Sequence, residues 1–89
     1  GCVGVLDADG QLNGMITDGD LRRHMGDKLL TAQAVEIMTP GVRTIDPDAL
    51  VSEALSIMNA YSITNLFVVE QNGPIGIIHI HDCLRAGVA

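Results

Sequence analysis

The chain has very few aromatic residues. Trp is absent and there is one Tyr and one Phe among 89 residues, although 47% of the residues are hydrophobic. The core must therefore be aliphatic, built from Val, Ile, Leu, Met and Ala side chains. A chain of this length allows one domain or two very small subdomains that share a core, and it buries only about 60–65% of its unfolded surface.

Basic residues are also scarce, with five Lys and Arg against 11 Asp and Glu and a net charge of −6. Nucleic acids and anionic membranes both attract basic patches, so the charge argues against both as partners. The longest apolar run is far too short to span a bilayer, and no secretory signal pattern opens the chain. We therefore expect a cytoplasmic protein with no nucleic-acid partner and no membrane partner.

The sequence has few cysteines and none of the usual groupings of catalytic residues. Cys2 and Cys83 form no C-x-x-C pair, and we interpret them as free thiols in a reducing cytosol. No Ser has the neighbours of a nucleophile, no glycine-rich phosphate loop with Lys is present, and paired catalytic carboxylates are not apparent. The sequence predicts that this chain is not itself a catalyst and needs no cofactor.

What the chain does contain is an internal repeat. The stretch 14–23 (GMITDGDLRR) has a weaker copy 62 residues further on, at 76–85 (GIIHIHDCLR). Each copy places an Asp six residues after a Gly, and each follows a hairpin pattern whose turn contains Asp9-Gly10 or Asn72-Gly73. Self-similarity of this length is a stronger signal than any single motif, and it predicts the same hairpin-to-helix unit twice.

Two interpretations of the repeated Asp remain open. Thr17-x-x-Asp20 matches a capping box, in which the hydroxyl and the carboxylate each satisfy a free backbone N–H. Alternatively, the helix start offers N–H groups to a phosphate while the Asp accepts hydrogen bonds from ribose hydroxyls. In the second copy His79 replaces the Thr, so we expect the cap pair to be lost although Asp82 remains. That difference favours a ligand.

The hydrophobic pattern predicts an α+β chain. The predicted strands are 3–7, 12–17, 42–45, 66–70 and 75–80, and the predicted helices are 18–24, 32–37, 50–60 and 81–86. Thr31 is expected to cap the second helix, and Thr39-Pro40-Gly41 is expected to form a turn. The third helix has the clearest apolar face, predicted to pack in the core and formed by Leu50, Ala54, Ile57, Met58 and Tyr61.

The doubled pattern Gly-apolar-apolar-Thr-x-x-Asp after a hairpin resembles the paired CBS domain, or Bateman module. More closely, the stretches 16–23 (ITDGDLRR), 37–41 (IMTPG) and 79–87 (HIHDCLRAG) resemble the C-terminal CBS pair of arabinose 5-phosphate isomerases. The resemblance implies small mixed β-sheets flanked by helices in β-α-β-β-α units. Residues 1–30 would form the C-terminal half of a first CBS motif and residues 31–89 a second, complete motif. We therefore expect this chain to be a fragment of a longer protein.

The resemblance also implies two ligand clefts between sheets that pack face to face. The first site would keep Thr17 and Asp20. The second would be formed by Thr39 and Thr44 near the opening strand, by Ile63, Thr64 and Asn65 at the middle strand, and by His79 and Asp82. The second site departs from the family pattern at His79 and at Asn65, where the family usually has Pro.

The function implied is regulatory. The parent enzyme would interconvert ribulose 5-phosphate and arabinose 5-phosphate for the synthesis of Kdo, the octulosonate sugar of lipopolysaccharide. This chain would bind a nucleotide or CMP-sugar, and we hypothesise sensing of the end product CMP-Kdo, with adenine nucleotides as second choice. Self-association as a dimer or tetramer is also expected. The alternatives are an oligomerisation module without ligand and a metal site at His79 and His81.

Overall fold

The computed structural model describes residues 1–71, 73–85 and 87, which form two compact units, residues 1–42 and 43–89. Each unit has its own three-stranded sheet with short helices, so the predicted α+β class is confirmed. The predicted turn residue Asn72 and the predicted helix end Ala86 lie outside the described residues. The boundary predicted after residue 30 divides two sequence repeats, whereas the compact units meet after residue 42. The predicted repeat boundary stays a prediction.

The first unit begins with the expected hairpin. Strand β1 (Cys2–Leu6) pairs antiparallel with strand β2 (Leu12–Thr17), and helix α1 (Asp18–Arg23) follows β2 directly. At the turn, Gly10 has a φ of 81°, a value that glycine adopts without steric cost. The Asp7 carboxylate accepts hydrogen bonds from the N–H groups of Asp9 and Gln11, which fixes the loop.

A third strand completes this sheet where the sequence predicted a turn. Strand β3 (Thr39–Pro40) pairs antiparallel with β2 at Gly14 and Met15. The close approach depends on Gly14, since a Cβ there would lie 2.9 Å from the carbonyl oxygen of Thr39. The turn prediction was wrong. Pro40 has no N–H to donate, but an edge strand tolerates proline because one side of the strand needs no partner.

The segment between α1 and β3 also differs from expectation. Residues Leu29–Thr31 form a 3-10 turn, and helix α2 is limited to Ala34–Ile37. Thr31 does not cap a helix, because its hydroxyl donates to the carbonyl oxygen of Lys28 at 3.2 Å. The residue before α2 is Gln33, whose side chain makes no capping hydrogen bond.

The second unit has the complete order β-α-β-β-α. Its elements are β4 (Thr44–Ile45), α3 (Val51–Ala60), β5 (Asn65–Glu70), β6 (Gly73–His79) and α4 (Ile80–Arg85). Strand β4 runs parallel to β5 through the α3 crossover, and β6 pairs antiparallel with β5 as a hairpin. The sheet order β4-β5-β6 leaves β6 at an edge.

The core of the second unit is aliphatic, as the scarcity of aromatic residues predicts. Its buried members are Ile45, Ala54, Met58, Leu66 and Cys83. The predicted helical face was wrong at its two ends, since Leu50 is 73% exposed and Tyr61 is 50% exposed. Leu50 has extended backbone before α3 begins, and the guanidinium of Arg43 lies 3.9 Å from the centre of the Tyr61 ring.

Cys2 is half-buried and Cys83 is buried, and both are free thiols. Within the described part of the chain, no helix is long and apolar enough to cross a membrane.

Candidate ligand site

The Asp of the first copy lies inside the protein and is completely satisfied. The Asp20 side chain is 3% exposed. Its Oδ2 accepts hydrogen bonds from the Thr17 N–H at 2.9 Å and the Thr17 hydroxyl at 3.1 Å. Its Oδ1 accepts from the Thr39 hydroxyl at 2.8 Å and from the Arg23 guanidinium. Four donors fill the roughly four acceptor positions of a carboxylate.

These donors stabilise the charged form of Asp20. The hydrogen bond from the Thr17 N–H, followed by that from the Thr39 hydroxyl, lowers the pKa of Asp20 from 3.8 to about 2 despite burial. The Thr17 hydroxyl in turn accepts the Asp20 N–H at 3.3 Å, which completes the predicted capping box. The predicted capping box of Thr17 and Asp20 is therefore confirmed, and their binding to a ligand stays a prediction.

The second copy keeps a cap in a different form, so the expectation that the cap pair is lost was wrong. Asp82 Oδ2 accepts the His79 N–H at 2.9 Å, as Asp20 does with Thr17. His79 Nδ1 takes the acceptor role of the missing hydroxyl and receives the His81 N–H at 3.0 Å. Sequence reasoning missed this because an imidazole nitrogen is a less familiar cap than a hydroxyl, although a neutral ring also offers one acceptor nitrogen.

That cap fixes the chemistry of His79. With Nδ1 as the acceptor of the His81 N–H, the donor of the neutral imidazole is Nε2. The first N–H groups of α4 are also occupied, since His79 donates to Asp82, Ile80 donates to the Thr64 carbonyl oxygen at 2.8 Å and His81 donates to His79. A phosphate near this helix would therefore meet the His79 ring rather than these three amides.

Asp82 is more open than its counterpart. Its side chain is 48% exposed, and each carboxylate oxygen receives one hydrogen bond, Oδ2 from His79 and Oδ1 from Arg85. The His79 N–H, with support from the Arg85 charge, lowers the pKa of Asp82 from 3.8. The carboxylate is charged at neutral pH and has acceptor positions that no described residue fills.

Three further predicted site residues lie near this junction. Asn65 is directly opposite His79 in the β5–β6 ladder, and its amide donates to the Thr64 hydroxyl at 3.2 Å. Ile63 leads into β5, with its N–H bonded to the Met58 carbonyl oxygen at 2.9 Å. These residues stand at the end of the sheet where β6 passes into α4.

Thr44 and Thr39 have different surroundings. Thr44 is exposed on β4, beside Phe67 of β5, and thus two positions along the strand from Asn65. Thr39 was assigned to the second site, and that assignment stays a prediction. The structure places it in the first unit on Asp20, because β3 pairs with β2.

Arg23 and Arg85 each form an ion pair with the Asp three residues before it. The two arginine side chains are 65% and 75% exposed, so solvent screens both pairs. The signal was present in the sequence as the Asp-x-x-Arg spacing shared by the two copies.

The proposed metal pair gains little from the geometry. The rings of His79 and His81 lie 4.5 Å apart between centroids, tilted by 56°, and the His79 Nδ1 is already bonded to the His81 N–H. Over residues 1–71, 73–85 and 87, no three His, Cys, Asp or Glu side chains are grouped as metal ligands.

Comparison with protein families matches residues 34–89 to the CBS domain. An uncharacterised protein of Rickettsia prowazekii is 46% identical over 89 residues, covering 100% of this chain and 28% of that protein. The arabinose 5-phosphate isomerase KdsD of Salmonella typhi is 38% identical over 90 residues, covering 99% of this chain and 27% of the enzyme. The chain thus spans little more than a quarter of the length of these relatives.

Solved structures give the same fold. The CBS-domain-containing protein ATU1752 of Agrobacterium tumefaciens matches 98% of this chain and 71% of its own, with a TM-score of 0.83 and 29% identity. The CBS domain pair of MJ0100, in complex with 5'-methylthioadenosine and S-adenosylmethionine, matches 97% of this chain and 68% of its own, with a TM-score of 0.82 and 28% identity. The cytosolic domain of the Mg²⁺ channel MgtE, in complex with ATP, matches 96% of this chain and 33% of its own, with a TM-score of 0.75 and 29% identity.

Proposed function

We propose that this chain, which belongs to the CBS domain family, is a regulatory module that binds a nucleotide or CMP-sugar in its second unit. The single observation that carries the proposal is the half-satisfied Asp82 carboxylate beside His79, where β6 passes into α4. The residues that would surround the ligand are Thr44, Ile63, Thr64, Asn65, His79 and Asp82.

The chemistry of this junction suits a ribose attached to a phosphate. Asp82 offers one open acceptor position on each oxygen, and two neighbouring sugar hydroxyls can donate to both. The His79 Nε2–H can donate to a phosphate or carboxylate oxygen on the same ligand. Asn65 lies opposite His79 and can supply a further amide contact.

CMP-Kdo is the ligand we favour. It carries one phosphate, and a chain with five Lys and Arg against 11 Asp and Glu has little charge to neutralise a triphosphate. The similarity to KdsD supports a parent that acts on arabinose 5-phosphate, and CMP-Kdo is the activated sugar at the end of the route from that compound. Binding here would give end-product feedback on lipopolysaccharide synthesis.

Adenine nucleotides are the second candidate, because the MJ0100 pair binds S-adenosylmethionine and 5'-methylthioadenosine and the MgtE domain binds ATP. The first two ligands carry no phosphate, which fits a site with few cations. An adenosine would use the same Asp82 carboxylate through its ribose and would leave His79 free for a substituent.

The parent protein would be a cytoplasmic isomerase whose catalytic domain lies outside these residues, and these residues alone would turn over no sugar phosphate.

We also propose self-association as a dimer or tetramer. Large apolar side chains are exposed, including Leu30 at 95%, Leu50 at 73% and Met25 at 70%, and such surface favours a partner. Sedimentation at tens of micromolar, on the order of a weak-to-moderate affinity, tests this, and a clean monomer contradicts it.

A thermal-shift screen of CMP-Kdo, CMP, adenosine and S-adenosylmethionine tests the ligand proposal. A ligand at a hundredfold excess over its dissociation constant adds about 2.7 kcal/mol to stability, which corresponds to a shift of roughly 10–20 °C in a domain of this size. Calorimetry on Asp82→Ala should show affinity weakened about tenfold or more. The control is Glu53→Gln, which removes one exposed charge from the same unit and should bind normally. Equal affinity in Asp82→Ala would refute the site.

A further inference from the structure

We infer that protonation of His79 closes the Asp82 carboxylate to a ribose, so that nucleoside binding at the junction of β6 and α4 is switched off in acid. The inference rests on the proposed function for the identity of the ligand. The protonation step itself rests on contacts within residues 79–85.

The neutral His79 ring caps α4 and leaves Asp82 open. Its Nδ1 accepts the His81 N–H at 3.0 Å, and each oxygen of Asp82 receives one hydrogen bond, from the His79 N–H or from Arg85. In an imidazolium both ring nitrogens are donors, so Nδ1 then has no lone pair for the His81 N–H. A protonated His79 ring must therefore leave that contact and find an acceptor elsewhere.

The first copy of the repeat indicates which acceptor that is. Thr17 occupies the position of His79, and its hydroxyl donates to Asp20 Oδ2 at 3.1 Å. A donor on the side chain at this position thus lies within reach of the carboxylate three residues later. An imidazolium at position 79 can donate in the same way to the open acceptor positions of Asp82, as a charged pair. Those are the positions that two ribose hydroxyls would use.

The charges on α4 favour this pairing. The His81 ring lies 4.5 Å from the His79 ring between centroids, and Arg85 pairs with Asp82 although its side chain is 75% exposed. The His79 N–H is the main cause that lowers the pKa of Asp82, and the Coulombic effect of His79 acts in the same direction. The two groups are therefore within electrostatic reach of each other.

The neighbouring elements of the second unit place their charges elsewhere. Strand β5 has the uncharged Asn65 opposite His79, and its Glu70 pairs at the other end of the ladder. In α3, Glu53 lies in the first turn, whereas β5 follows the last turn. Arg43, which precedes β4, lies against an aromatic ring at 3.9 Å. Among the described residues, Asp82 is thus the carboxylate beside the His79 ring.

Calorimetry with adenosine and with cytidine at pH 5 and pH 8 tests the switch. Histidine changes its charge within this range, and neither nucleoside carries a phosphate that would attract an imidazolium. Asp82 itself stays charged at pH 5, because its pKa is lowered from 3.8. Wild type should bind about tenfold or more weakly at pH 5, since the ribose then loses charge-assisted hydrogen bonds to Asp82.

Two variants serve as controls for this measurement. His79→Thr places the residue of the first copy at the cap and should bind with the same affinity at both pH values, whatever that affinity is. His81→Gln removes the other ring, keeps the backbone N–H and should retain the wild-type pH dependence. Equal affinity at both pH values in wild type, or a pH dependence that persists in His79→Thr, would overturn the inference.

A second measurement separates this inference from the proposed function. The ¹³C carboxyl resonances of Asp20 and Asp82 are titrated in the same proteins without any ligand. The Asp82 resonance should shift together with the His79 ring resonances in wild type and in His81→Gln, and should lose this response in His79→Thr. The Asp20 resonance should stay fixed between pH 5 and pH 8, because its pKa is about 2.

The two measurements fail in different ways. If the Asp82 resonance does not respond to protonation of His79, the closing step is refuted, whatever binds. If it responds but neither nucleoside binds at either pH, the proposed ribose site is refuted and the switch of binding with it, and only the ion pair of His79 with Asp82 stands.

Discussion

Substituting alanine for the two repeated glycines should give opposite results. Gly14→Ala puts a Cβ 2.9 Å from the Thr39 carbonyl oxygen, and a backbone atom cannot move away as the Met38 side chain can. Overpacking of this kind costs about 1–3 kcal/mol, against a gain of about 0.4–1 kcal/mol from a stiffer unfolded chain. We expect a net loss of about 1–2 kcal/mol. Gly76→Ala meets only the Val68 Cβ at 4.0 Å and should gain about 0.5 kcal/mol.

Urea unfolding measures both effects. With a slope of about 1 kcal/mol/M for a chain of this size, the midpoint should fall by about 1–2 M in Gly14→Ala and rise slightly in Gly76→Ala. The same Gly14→Ala variant should also raise the midpoint of the Asp20 titration, because β3 carries the Thr39 hydroxyl. Equal midpoints in the two variants, or a Gly14→Ala protein more stable than wild type, would refute the reasoning about β3.

Three further predictions concern stability, each checked by urea unfolding. Because folding lowers the pKa of Asp20 from 3.8 to about 2, the unfolded state takes up this proton first, and stability should fall by about 2 kcal/mol between pH 4 and pH 2; Asp20→Asn should show a flatter pH dependence there. Ser62 has a φ of 54°, so Ser62→Gly should add about 1 kcal/mol, and a loss would contradict the strain argument. Met58→Ala, in the core, should lower the free energy of unfolding by about 2–5 kcal/mol. Leu50→Ser should raise it by about 0.5–1 kcal/mol, because the serine hydroxyl can cap α3. A loss of the same size in both variants would contradict the assigned burial of Met58 and exposure of Leu50.

The repeat and the alternation of elements could be predicted from the sequence because they depend on local chemistry. The strand bounds of β2 were correct, and Asp9-Gly10 marked the hairpin. Strand β3 could not be predicted this way, because a Thr-Pro-Gly stretch has turn chemistry and its pairing is fixed by a residue 26 positions away, Gly14. The prediction that Leu50 packs in the core was wrong because helical spacing does not reveal where a helix begins, and α3 begins only at Val51.

The candidate site was only partly accessible to sequence reasoning. The repeated Asp and the replacement of Thr by His79 at the capping position were visible in the sequence. The partner of each carboxylate oxygen was not, because Thr39 reaches Asp20 across 19 residues and His79 caps α4 through a ring nitrogen. Those contacts are what make the copies chemically different, with one carboxylate filled and one half filled.

The central claim is that a ribose-containing ligand binds at the junction of β6 and α4, and mapping of backbone amide shifts in ¹⁵N-labelled protein tests it most directly. Addition of CMP-Kdo, with adenosine as a parallel titration, should move the amide resonances of Asn65, His79 and Asp82 in a saturable way and leave those of Thr17 and Asp20 unchanged. Saturable shifts confined to the first unit, or no saturable shift with either ligand, would contradict the account.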